Sequence, residues 1–450
     1  IVMNASGKLS IGKVKTNGGD ITLTGGDFSL SGTLNAGKGT LTILGVSGET
    51  IGLDGITAST NDSTISTICD SSACGLTLTQ SELSLITAAK LVIGDSSSGN
   101  IYVDGVDTSH ISGGVTLNSS GSSGSVIFGT GSSTLKVATI NAGNGVTING
   151  DVSITGPSVF NTDYDSNGTG TFTLAATKAL TASTISISAN DVGILGTISS
   201  GTGSTTIAVS DGGTIGLGGT TGNMTISGAE LGNITAGTLN IGDSSTGNIT
   251  VDGISASNSN NATTVNLTTA SASSVSFSNN DSIFNALTTS EGSSTSFGSG
   301  LTVTTDTGKL ALNATSITSA GALTLTGATG IDFGSGVTFT AGGDLTMSTT
   351  SGGIIGAGAF TLTSTGNISL AENFTTAGAT VITADSDGNG AGNFSNSSST
   401  TLSTGNSALT LTANDITLSG SISSGTGSTT IVVSDGGTIG LGGTTGNMTI

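Results

Sequence analysis

Short runs of alternating apolar and hydroxyl-bearing residues punctuate the chain, among them 21–24 (ITLT), 184–188 (TISIS), 323–326 (LTLT) and 409–412 (LTLT). Alternation at period two predicts a strand with one face buried, and β-branched Thr and Ile favour that state. Between the runs stand Gly-Gly, Asn-Gly, Asp-Gly and Ser-Gly pairs, which supply tight turns. No window carries the i, i+3, i+4, i+7 spacing of a capped helix. The expectation is an all-β chain of many short strands.

The pattern also copies itself. Ser199–Ile226 returns as Ser423–Ile450, 423 − 199 = 224 positions later, with Val432 in place of Ala208. Leu83–Val106 matches Leu231–Ile254 at an offset of 231 − 83 = 148, and Asp163–Phe172 matches Asp385–Phe394 at 385 − 163 = 222. More broadly, residues 66–106 pair with 214–254, and 163–226 with 385–450. The offsets are near multiples of about 74, so insertions arrive as whole structural turns, as in a solenoid. Sandwiches need larger aromatic cores, and propellers carry a Trp-Asp signature that a chain without Trp cannot have. A parallel β-helix over residues 1–450, one continuous repeat region, is the expected architecture. Four coils per step give about 18–19 residues per coil, and three give about 25. The shorter coil implies roughly 24 coils in an elongated rod on the order of 115 Å long.

Composition narrows this picture. There are 75 Gly and 1 Pro, with 3% aromatic residues, which suits a thin aliphatic core rather than a thick globular one. A mean hydropathy of +0.26 with regular apolar rhythm separates the chain from disordered sequences. The balance of 8 basic to 28 acidic residues, every base a Lys, excludes a track for nucleic acid and disfavours an anionic membrane surface. No segment approaches the roughly 20 apolar residues of a membrane span. Ile1–Lys15 has no basic start followed by an apolar run, and the sequence reads as an internal fragment of a longer protein.

The paired segments Glu82–Gly105 and Glu230–Gly253 share the elements Leu, Ile-Thr-Ala, Ile-Gly-Asp, Gly-Asn-Ile and Val-Asp-Gly in the same order. This motif, within a Thr/Ser/Gly/Asn-rich style that covers the whole chain, resembles repeats of filamentous-haemagglutinin-like exoproteins. The resemblance implies a right-handed parallel β-helix in an adhesin at a bacterial surface, exported by two-partner secretion.

Two segments carry candidate chemistry. Asp163, Asp165 and Asn167, followed by Gly168, and Asp385, Asp387 and Asn389, followed by Gly390, both fit the first half of a calcium loop. Alternate oxygens there could converge on one hard cation, and Gly permits the sharp turn. Position 12 holds Leu174 and Asn396 instead of the bidentate Glu, so the alternative is an exposed turn rich in Asp, Asn and Gly. Any Ca2+ would be structural, and no cofactor is required. Cys69 and Cys74 flank a short loop and could close a disulfide in an oxidising compartment, or remain two small unpaired residues. The lone His110 belongs on an exposed turn, and Asn-x-Ser/Thr sequons such as Asn223, Asn248 and Asn447 are expected by chance.

The leading functional expectation is a non-enzymatic structural or adhesive stalk, extracellular or at the bacterial cell surface. Its partners would be surface glycans or proteins of a host or neighbouring cell, or other rods. A self-assembling surface layer or filament is the alternative. A polysaccharide-active β-helix enzyme is less favoured, because lyases need a cationic base and this chain has no Arg. An ice-binding face would need Thr-x-Thr at a fixed place in every coil, and along the sequence the Thr pairs recur at uneven intervals.

Overall fold

The alternating runs become strands. In a computed structural model that describes residues 1–54, 74–290 and 294–450, they occupy Ile21–Thr24, Thr184–Ala189, Leu323–Gly327 and Leu409–Ala413. In each, the Ile, Leu or Val side chains point inward and the Ser or Thr side chains outward. Each strand pairs in parallel with a strand one coil on, so each segment closes a turn and stacks on its predecessor. This is a parallel β-solenoid.

The chain divides into two compact units, Ile1–Gly213 with Asn233–Leu239, and Thr214–Gly232 with Asn240–Ile450. In the first, one ladder climbs from Val2–Asn4 through Ile21–Thr24, Thr40–Leu44 and Lys90–Ile93 to Val115–Ser119. It continues through Ala138–Ala142, Pro157–Asn161 and Thr184–Ala189 to Ser204–Val209. A 7-stranded sheet from Leu76–Thr79 to Asp191–Ile194 makes a second face, and strands from Ser133–Leu135 to Thr197–Ser199 a third. The second unit repeats the plan. Its first sheet runs from Ala262–Leu267 to Ser421–Ser423, its second is 11-stranded and ends at Thr429–Val433, and its third runs from Ser282–Phe284 to Ile416–Leu418.

The coils are longer than 18–19 residues. Ile21 pairs with Leu41, Ser294 with Ser316, Val337 with Phe360 and Thr380 with Leu409, advances of 20, 22, 23 and 29. From Lys90–Ile93 the ladder reaches Ile234–Ile241 in six steps, so Leu91 and its copy Leu239 are six coils apart. Over that copy the step of about 74 is three coils of about 25 residues, the longer of the two divisions. The copy at 222 is not a whole number of coils, since Pro157–Asn161 lies in the 22-stranded sheet and its counterpart Thr380–Thr383 in the 11-stranded one. The excess sits at the corners. Ser158 pairs with Ile185 across the Asp163 loop, an advance of 27, whereas Ile185 reaches Thr205 after 20.

Short helical turns, which the hydrophobic spacing did not indicate, also lengthen coils. Gln80–Leu83 starts at a capping box in which Thr79 and Glu82 bond reciprocally, and in Gly228–Gly232 the Glu230 carboxylate accepts from the Ser227 amide and hydroxyl. Such turns are set by capping residues, and four or five residues are too few to show a helical period.

The core is a thin column of Ile, Leu, Val and Phe. Eleven Phe side chains are among its largest fully buried members. Phe277 stacks on Phe297 with centroids 5.0 Å apart, and Phe360 contacts Phe333 and Phe374 at 5.0 and 5.1 Å. Phe277 and Phe297 stand in register on paired strands, whereas Phe360 meets rings that belong to a different sheet, so the rings fill the column both along the stack and across it.

Candidate functional site

Both Asp-x-Asp-x-Asn-Gly segments sit at corners where the chain leaves one sheet for the next. The first follows Pro157–Asn161 and precedes Thr171–Leu174, and the second follows Thr380–Thr383 and precedes Phe394–Asn396. Positive φ at Ser166, Gly168, Asp385, Gly388 and Gly390 curls each loop over its own first carboxylate.

That carboxylate points inward. Asp163 is 3% exposed and Asp385 1%. Asp163 accepts hydrogen bonds from the amides of Asn167 at 3.1 Å and Gly168 at 3.2 Å, and from the Ser210 hydroxyl at 2.6 Å. Asp385 accepts from the amides of Asn389 at 3.0 Å and Gly390 at 3.2 Å, and from the Ser434 hydroxyl. Burial works to raise the Asp385 pKa, but the bonds from Ser434, Gly390, Ala391 and Asn389 outweigh it and hold the carboxyl below its ordinary range.

The remaining oxygens diverge. Asp165 and Asp387 are exposed, and each accepts a bond of 2.8 Å from the side-chain amide of Asn167 or Asn389. Asn167 Oδ1 turns to the Thr169 hydroxyl, and Asn389 Oδ1 to the Ala391 amide at 2.9 Å. A hard cation needs several oxygens converging on one point. Here N–H and O–H donors meet the carboxylate instead, and the donor set suits a buried anion held by the protein. Among the described residues, no three or more His, Cys, Asp or Glu side chains gather as a metal site.

Ser210 and Ser434 were not among the candidates from the sequence, although both lie in the repeated block. They stand two coils beyond their aspartates: Pro157–Asn161 pairs with Thr184–Ala189, which pairs with Ser204–Val209, and the second copy repeats the arrangement. The signal available in the sequence was a serine two coil lengths past the acid in both copies.

The motif shared by Glu82–Gly105 and Glu230–Gly253 is structural as well. Asp95 and Asp243 each accept the amide and hydroxyl of the serine two residues on, at 2.8 and 2.7 Å. Burial opposes ionisation of Asp243, but the bonds from Ser245 and Thr246 prevail and lower its pKa. Gly94 and Gly242 both adopt φ +78°, with the carbonyl of the next coil, Asn118 or Thr268, where a Cβ would go. Asp104 and Asp252, from the Val-Asp-Gly element, accept bonds from Gly131 and from Asn279 and Asn280 in the neighbouring coil.

Cys74 is buried beside Tyr102 and is not a free thiol, while Cys69 lies outside the described residues. His110 is exposed near Asp107, whose pKa is lowered first by the Ser109 hydroxyl and amide, against burial, with the His110 charge adding to the effect. No family model, curated protein or solved structure matches this chain.

Proposed function

We propose that the chain is shaft material of a secreted surface protein: a structural or adhesive stalk that carries binding elements away from the cell. The observation that carries this reading is the in-register parallel stacking within each unit, in which each strand pairs with strands one coil away and length grows by adding coils. The buried acids that sequence analysis singled out hold coils together, consistent with a mechanical role and no catalytic one. The resemblance to filamentous-haemagglutinin-like repeats supports an extracellular setting, with surface glycans, surface proteins or other shafts as partners and neither nucleic acid nor membrane insertion. The acidic balance of 28 to 8 favours the solubility of such shafts.

Antibody against the chain should label intact cells of the source organism, and small-angle scattering should give an elongated particle. Labelling only after permeabilisation, or a compact globule, would overturn the reading.

A further inference from the structure

The outward face of the 11-stranded sheet in the second unit carries one chemistry. From Ser274–Phe277 to Thr429–Val433, eight consecutive strands each present two residues outward with one inward residue between them. One file runs through Ser294, Ser316, Thr338, Thr361, Val381 and Thr410. The other runs through Ser296, Thr318, Thr340, Thr363, Thr383 and Thr412. With Ser274, Ser276, Thr430 and Val432 at the ends, 14 of 16 positions bear a hydroxyl and none bears a charge. The chain as a whole has net charge −20, and none of that charge falls on these positions.

The neighbouring faces differ. The first sheet's outward file contains Ala311, Asp332 and Ile355. The third sheet keeps two hydroxyl files only over three coils, and there Thr326 and Ser348 bond to each other at 3.3 Å. On the 11-stranded face the hydroxyls from Ser294 to Thr412 make no side-chain hydrogen bond among the described residues. They are left to water.

Rungs about 4.8 Å apart along the stack, with outward positions about 6.6 Å apart along each strand, make a two-dimensional net. A single sugar or peptide spans a few rungs, whereas a periodic solid can make the same contact with all eight. Thr methyls restrict the orientation of first-shell water while hydroxyls anchor it, and no ion competes for its dipoles. A crystalline polysaccharide would call for aromatic platforms, and this face has none. A second copy of the chain is the competing occupant, since facing hydroxyls can donate and accept in turn, and the test below separates it from ice.

We propose that this face binds the surface of ice through a layer of water ordered on the Ser/Thr net. The proposal rests on the solenoid alone and is independent of the stalk reading. The test is uptake of the full chain into slowly growing ice, compared with a Thr340→Tyr/Thr363→Tyr variant, a Thr340→Lys/Thr363→Lys variant, and a Thr375→Tyr control on the first sheet. Circular dichroism melting verifies that each is folded. The expected result is enrichment of the native chain and the control in ice, with loss of uptake in both paired variants. Exclusion of the native chain from ice overturns the proposal, as does equal uptake by either folded paired variant. So does retention on crystalline cellulose without ice uptake, or a dimer that the paired substitutions dissolve in place of any effect on ice.

Discussion

Ser210 donates a hydrogen bond of 2.6 Å to the buried carboxylate of Asp163, 47 residues earlier, and Ser434 does the same for Asp385 across 49 residues. Each bond passes over an intervening coil, so a corner loop and two further turns are bolted together. Hydrogen bonds to a charged group contribute about 1.5–3 kcal/mol. Asp163→Ala should therefore cut hydrogen-exchange protection of the Asn167 and Gly168 amides by about 10- to 100-fold. Ser210→Ala should produce part of that loss, and the double variant less than the sum. Additive effects would show that the two side chains do not act together.

The acid response follows from Asp385 and Asp243, whose folded pKa values lie below the ordinary 3.8. A lowered folded pKa contributes stability above the unfolded value, and that contribution is lost as pH falls through the folded one. Thermal melting should be flat from neutral pH to about pH 5 and then decline below the ordinary carboxylate range. In Asp385→Asn the decline should be shallower and start from a lower melting temperature. A steeper acid decline in that variant would contradict the assignment.

Calcium and chelator should leave the melting temperature unchanged, because amide and hydroxyl donors already surround Asp163 and Asp385. A rise with calcium that disappears in both Asp165→Asn and Asp387→Asn would mean that the loops reorganise into a cation site.

Gly94 and Gly193 should answer oppositely to alanine. Gly94 has φ +78° and a carbonyl where the methyl would go, so Gly94→Ala should cost at least about 1–3 kcal/mol. Gly193 lies in the strand Asp191–Ile194 with open space around its Cβ position, and Gly193→Ala should be neutral or stabilise by about 0.5–1 kcal/mol. Denaturant unfolding of both variants checks the contrast.

Phe360 bridges Phe333 and Phe374 in the column, and Phe360→Ala should destabilise the second unit by about 3–5 kcal/mol. Phe360→Leu should recover much of that loss, since it keeps most of the volume. Equal losses in the two variants would argue against cavity formation as the cause.

The sequence by itself determined the strand and the solenoid. Runs such as Leu323–Gly327 alternate because one side must be buried, and the 148-residue copy marks a stacked repeat. Neither needs a long-range contact to be legible. Coil length was less legible, because loops such as that at Asp163 and caps such as Thr79 and Glu82 add residues without adding a strand. Only the tertiary structure decided which coil meets which. It showed that Asp163 and Asp385, candidate cation ligands in the sequence, are buried and bonded to their own loop amides and to serines two coils away. It also aligned the Thr pairs. Advances of 22, 22, 23, 20, 29 and 20 residues scatter them along the chain from Ser294 to Thr430, yet backbone register depends on the strands that pair and not on the loop between them. Thr340, Thr363 and Thr383 thus fall into one file that their spacing in the sequence conceals.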